Sequence, residues 1–104
     1  MRSADFRRVY EHGAKYSGPL FAAFWMRRAE TEGPRVGFTL PRSLGKAVVR
    51  NRIKRRVREA VRLRLDQLSP QCELVINPRR KALDAPFPDL EREVEKLFFR
   101  CAGS

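Results

Sequence analysis

The chain has 104 residues, 42% of them hydrophobic, and carries 23 Lys and Arg against 12 Asp and Glu, a formal net charge of +11. That leaves room for one domain, residues 1–104, with apolar residues enough for a single core and none for a second. The positive excess opposes compaction by self-repulsion and attracts polyanions, so nucleic acid is the leading partner. No apolar run approaches the ~18 residues of a membrane span and no signal-peptide core opens the chain, which points to a cytoplasmic protein.

Residues 3–13, SADFRRVYEHG, predict a short helix, with Ser3 suited to cap it and Gly13 to end it. Phe6, Val9 and Tyr10 share one face. Its aromatics are either ordinary core or a half-exposed stacking surface, and the periodicity leaves both open. Gly18-Pro19 marks a turn. LFAAFWMRR, 20–28, reads as a strand with Leu20, Ala22, Phe24 and Met26 on one face and Phe21, Ala23 and Trp25 on the other. Both faces are apolar, so either helices cover both or one offers aromatic groups to a ligand. After a turn at 31–34, RVGFTLP, 35–41, predicts a second strand, antiparallel to the first, with Val36, Phe38 and Leu40 opposed to Gly37 and Thr39.

The next segment is the most unusual. From Lys46 to Arg64, nine of nineteen residues are Lys or Arg, and Glu59 is the sole acid. A run so basic is usually disordered, because nothing apolar offsets the repulsion. Here Val49, Ile53, Val57, Ala60 and Val61 recur at helical spacing, which predicts an amphipathic helix with an anchored back. Asn51, Arg55, Arg58 and Arg62 fall on the opposite side, with Arg50 and Arg52 at its margins. Arg56 and Arg64 point toward the core flank, so their stems should pack and their heads reach solvent. The apolar side lacks Trp and Phe, which disfavours a membrane surface.

Ser69-Pro70 ends that helix, and ELVIN, 73–77, predicts a third strand closed by Pro78. Residues 79–88 read as a loop with three more cations. DLEREVEKLFFRC, 89–101, predicts a last helix with Leu90, Val94, Leu97 and Phe98 buried. Its acids, Asp89, Glu91, Glu93 and Glu95, alternate with Arg92 and Lys96 as surface pairs do, and turn this helix away from any polyanion. The order α-β-β-α-β-α predicts an α+β sandwich of helices on a small central sheet.

The sequence offers no catalytic apparatus. His12 neighbours Glu11 without a Ser or Cys partner, the acids of the last helix are surface pairs and not a Mg²⁺ cluster, and there is no P-loop or GxGxxG. Cys72 and Cys101 lack CxxC spacing and read as free thiols, and with His12 they make no zinc site. Helix-turn-helix readers of DNA need a short helix before the recognition helix, where this chain has a strand. Aromatics on a sheet beside a cationic strip suit unstacked single-stranded RNA.

Residues 35–62, RVGFTLPRSLGKAVVRNRIKRRVREAVR, closely resemble the signature of the bacterial ribonuclease P protein component. The core is Arg50-Asn51-Arg52, followed by Lys54-Arg55-Arg56 and Arg58-Glu59 and preceded by Gly45-Lys46-Ala47-Val48. Asp5-Phe6-Arg7-Arg8-Val9-Tyr10 with Gly13 resembles the family's opening. The resemblance implies the protein subunit of a ribonucleoprotein endonuclease that removes the 5′ leader from precursor tRNA. It implies that the RNA is the catalyst and requires Mg²⁺, that the protein itself holds no metal or cofactor, and that ribonuclease P RNA and precursor tRNA are partners with no obligate protein partner and no membrane. It assigns contact with the catalytic RNA to Lys46, Arg50, Asn51, Arg52, Lys54, Arg55, Arg58 and Arg62, and a single-stranded leader groove to Phe6, Tyr10 and Phe24. Phe24 stands where the family favours Tyr, which keeps stacking and loses a hydroxyl. The implied fold is the ribosomal protein S5 domain 2-like sandwich with a left-handed βαβ crossover, where general connection rules favour a right-handed one. The alternatives are a ribosomal or RNA-chaperone protein with no processing role, or a self-sufficient metal nuclease.

Overall fold

The computed structural model describes residues 6–27, 33–68 and 70–102. Its elements are α1 (Phe6–His12), β1 (Ala14–Ser17), β2 (Phe21–Arg27), β3 (Arg35–Phe38), α2 (Ala47–Leu63), β4 (Cys72–Pro78) and α3 (Phe87–Ala102). Short 3-10 turns occupy Arg42–Leu44, Leu65–Gln67 and Arg80–Leu83. The α+β class and the helix–sheet layering are as expected. The expected cap Ser3, Arg28, residues 31 and 32 of the turn at 31–34, and Ser69 of the helix stop lie outside the described residues.

Two features of the sheet differ from the sequence expectation. First, there is an additional strand, β1, so the order is α-β-β-β-α-β-α. β1 has four residues and only Tyr16 is buried, too short a pattern for alternation to register. It exists because Gly13 lets α1 end hard against β2. A side chain at Gly13 would put its first carbon 2.4 Å from Val9 O and 2.7 Å from Trp25 O. The Gly18-Pro19 turn then closes a β1–β2 hairpin.

Second, the strand order is β1-β2-β4-β3. β2 and β3 are therefore not neighbours: β4 lies between them, antiparallel to β2 and parallel to β3. The reason is burial. β4 is covered along nearly its whole length, with only Asn77 partly exposed, and gains a partner on each edge by taking the centre. β3, four residues long and containing Gly37, occupies an edge. The β3–β4 connection runs through α2.

One sheet face carries Phe21, Ala23, Trp25, Val36, Leu74 and Ile76, and packs with Ile53, Val57, Ala60 and Val61 of α2 and Leu90, Val94, Leu97 and Phe98 of α3. These are the apolar stripes that the two helical periodicities predict. The other face carries Phe24, Met26 and Val75, and among the described residues α1 lies on it through Val9 and Phe6. Cys72 and Cys101, remote in sequence, meet at the edge of the first core as free, buried thiols. The Cys101 thiol donates to Cys72, lowering the Cys72 pKa and raising that of Cys101.

Two acids are interior, and one of them, Glu93, departs from the surface reading of the last helix. Glu73 is fully buried, with Arg8 of α1 at 3.1 Å and Arg35 of β3 at 3.7 Å, so it ties α1 to the sheet. Glu93 is also buried, and is not one of the surface pairs of α3. It accepts hydrogen bonds from Phe21 N at 3.0 Å and Leu20 N at 3.2 Å, closing the start of β2 against α3. Its neighbours Glu91 and Glu95 do pair at the surface, both with Arg64.

Burial raises the Glu93 pKa above its ordinary 4.5, partly countered by the two backbone donors. Replacing Glu93 with Ala should cost about 1–3 kcal/mol in urea unfolding, because two buried N–H groups lose their acceptor. Replacing Glu95 should cost at most about 1 kcal/mol. Because the folded pKa is raised, the associated stability is complete at pH below 4.5 and is lost as pH rises through the raised value. Relative to Glu93→Gln, which does not titrate, the wild type should therefore lose stability across that interval. A flat difference between the two unfolding curves would contradict this.

Candidate nucleic-acid interface

α2 is entered through Gly45, whose φ of 135° suits glycine, and through Lys46 in extended conformation. Its buried positions hold the helix rigidly to the sheet, and this fixes where its charges go. Lys46, Asn51, Arg52, Lys54, Arg55 and Arg58 are all exposed. Among the described residues none of the six side chains makes a hydrogen bond or ion pair. Asn51, Arg52, Arg55 and Arg58 belong to the outward strip expected from the helical spacing, Lys46 and Lys54 extend it, and the expected members Arg50 and Arg62 have partners within the protein.

The other four cations of the segment have internal partners. Arg50 donates to Leu40 O at 3.4 Å. Arg62 pairs with Glu59, its Nε 3.0 Å from Oε2, and this hydrogen bond lowers the Glu59 pKa. Arg64 reaches Glu95 at 3.0 Å and Glu91 at 3.6 Å, joining α2 to α3. Arg56 corrects the expectation that its head reaches solvent. Its guanidinium donates to Ala82 O at 2.5 Å, Leu83 O at 2.8 Å and Ala85 O. It thereby holds the turn before α3 in place. Two cations of the 79–88 segment are structural as well. Arg79 donates to Gly18 O at 2.8 Å and Ser17 Oγ at 3.0 Å, and Arg80 to Leu44 O at 2.8 Å.

The second surface lies on the opposite sheet face. Among the described residues α1, Phe6–His12, covers part of it. Val9 is fully buried against Val75, while Phe6 and Phe24 remain half-buried and Tyr10 is 38% exposed. The three aromatics named from the sequence are thus a groove and not plain core. Tyr10 and Phe24 meet edge to face with ring centroids 4.7 Å apart, and Lys15 Nζ lies 5.7 Å from the Phe24 centroid. An open cleft of about 670 Å³ continues the groove past Phe6 to Thr39, Asn77 and Arg79.

Sequence reasoning missed the polar residues of this cleft. Tyr10 Oη donates to Asn77 Oδ1 at 2.8 Å and lies 3.2 Å from Thr39 Oγ, which also bonds Asn77 Oδ1. The available signal was Asn77 itself, the one amide in an otherwise apolar run from Leu74 to Pro78. Among the described residues no three His, Cys, Asp or Glu side chains gather as a metal site. His12 is exposed, with Nε2 3.9 Å from Glu11.

A fixed cationic helix on one face and an aromatic groove on the other define an RNA-binding subunit with two separate surfaces. The sequence model of the Ribonuclease P family matches residues 1–102. A ribonuclease P protein component from Symbiobacterium thermophilum is 43% identical over 95 residues, covering 91% of this chain and 83% of the relative. One from Bartonella quintana is 44% identical over 102 residues, covering 91% and 76%. The solved RNase P protein from Thermotoga maritima superposes with a TM-score of 0.81 at 25% identity, over 92% of this chain and 90% of that one. The chain belongs to the ribonuclease P protein family, the protein subunits of an RNA-processing endonuclease, and its partner is the ribonuclease P RNA. This decides against the ribosomal and chaperone alternatives.

The division of the cations is testable by stability. Arg56→Ala should lower the unfolding free energy by about 1–3 kcal/mol, since three carbonyls lose a charged donor. Arg56→Lys should not restore it, because an ammonium lacks the planar fork. Arg55→Ala should stay within about 0.5 kcal/mol of wild type. Equal losses at positions 55 and 56 in urea titrations would refute the division.

Proposed function

We propose that the chain binds the catalytic RNA through α2 and the single-stranded 5′ leader of precursor tRNA through the groove beside α1, while the RNA carries out leader removal. The observation that carries this reading is the separation of the two surfaces. The outward cations of α2 lack internal partners among the described residues, and the half-covered aromatics lie on the opposite sheet face.

Each surface suits its ligand for a physical reason. Lys46, Arg52, Lys54, Arg55 and Arg58, with Asn51 among them, stand on a helix ordered before binding, so gripping phosphates costs little further ordering. Their affinity comes from counterion release and carries no sequence information. Arg50 and Arg62, turned to Leu40 and Glu59 in the free protein, join the interface by exchanging those partners. In the groove Phe6, Tyr10 and Phe24 stack unpaired bases, at about 1–3 kcal/mol per base. Lys15 beside Phe24 suits the leader backbone. Holding the leader places the cleavage point against the RNA, whose bound Mg²⁺ supplies the chemistry, and no residue of this chain enters the reaction. The assembly works in the cytoplasm on precursor tRNA.

Two measurements test this. Arg55→Ala with Arg58→Ala should weaken association with the ribonuclease P RNA and make the log–log salt dependence shallower by about one for each phosphate no longer neutralised. An unchanged slope would remove α2 from the RNA interface. In the reconstituted holoenzyme, Phe24→Ala should lower affinity for leader-bearing precursor roughly 5- to 100-fold, the size of one stacked base, and leave mature tRNA unaffected. Equal losses on both would make Phe24 a core residue only.

A further inference from the structure

The floor of the cleft holds a polar cluster that stacking does not need. Asn77 stands in β4 opposite Ala22 of β2, and this small neighbour leaves the space above the amide open. Its Oδ1 receives hydrogen bonds from Tyr10 Oη and from Thr39 Oγ. A carbonyl oxygen has two lone pairs, and both are taken. Each hydroxyl has one hydrogen, and both are spent on that oxygen. The hydrogens left in the cluster are the two on Asn77 Nδ2, which makes no hydrogen bond among the described residues. The amide is thereby held in one orientation and presents donors only.

We infer that Asn77 is a specificity-determining residue that reads one leader base in the groove and selects bases with a keto oxygen at purine C6 or pyrimidine C4, guanine and uracil, over adenine and cytosine, which carry an amino group there. Guanine and uracil present a carbonyl acceptor where adenine and cytosine present an amino donor. An asparagine with a free amide oxygen pairs with adenine through both its atoms. Here that oxygen is occupied, so an amino group meets donor against donor. Tyr10 and Thr39 act as positioning residues by fixing the amide. The cleft volume of about 670 Å³ is within the range of small-ligand pockets, ~300–1,000 Å³, and Phe6 and Tyr10 flank it as stacking partners.

This inference rests on the leader-groove reading, and the experiment separates the two. Holoenzyme reconstituted with the cognate ribonuclease P RNA is given precursors bearing G, U, A or C at each leader position in turn, and relative kcat/KM is measured. At one position the wild type should favour G and U roughly 3- to 10-fold, the size of one neutral hydrogen bond. Asn77→Ala should abolish that difference. Tyr10→Phe, which keeps the ring and removes the orienting hydroxyl, should reduce it, and it carries the test alone if Asn77→Ala does not fold. Phe24→Ala should weaken binding of all four precursors alike. Discrimination that survives both Asn77→Ala and Tyr10→Phe would overturn the inference while leaving the groove intact. So would a preference for A or C that Asn77→Ala abolishes, since it would mean that the hydroxyl oxygens read an amino group. If Phe24→Ala and Asn77→Ala both leave every leader unaffected, the groove reading itself fails.

Discussion

β4 must be covered on both faces, and the rest of the molecule follows from how unequally that is done. Leu74 and Ile76 point into a core built by two long helices, α2 and α3. Glu73, Val75 and Asn77 point the other way, where among the described residues α1 is the cover. α1 buries Val9 on Val75 and brings Arg8 to Glu73. What it leaves uncovered is an apolar, aromatic surface rimmed by polar side chains. A fully covered second face would be more stable and would have no groove.

The charge excess works against such a small core, and the structure limits it by giving many arginines backbone or carboxylate partners. Arg56, Arg79 and Arg80 satisfy carbonyls at turns, and Arg64 joins the two long helices. Guanidinium suits this work because one planar group can serve several acceptors. Five of the cations without a side-chain partner among the described residues, Lys46, Arg52, Lys54, Arg55 and Arg58, lie on the exposed side of α2 and at its entry. Repulsion is thus concentrated where a polyanion relieves it, and binding the RNA should also stabilise the fold.

The groove joins side chains from separate elements. Tyr10 on α1 meets Phe24 of β2 edge to face. Its hydroxyl lies on Asn77 of β4 and on Thr39, the residue after β3. Since β4 separates β2 from β3, only the strand order β1-β2-β4-β3 puts Thr39 beside Asn77.

Local pattern alone determined α2, its buried stripe and its outward strip, because a sustained 3.6-residue period in charge and apolarity has one solution. It also determined the stripe of α3 and the two apolar faces of β2, the Arg50-Asn51-Arg52 block carried the family, and whether Phe6, Tyr10 and Phe24 are core or half-exposed stayed open until the fold was known. Tertiary structure decided what depends on partners distant in the chain. β1 formed because a hairpin partner was available, and β4 took the centre because it had most to bury. Glu73 and Glu93 became interior because arginines and backbone donors from other elements meet them there. Arg56 turned inward to carbonyls 26 to 29 residues away. Asn77 became a fixed donor because two hydroxyls from other elements fill its oxygen. A hydrogen bond between distant residues leaves no period in a sequence, so these roles appear only once the chain is folded.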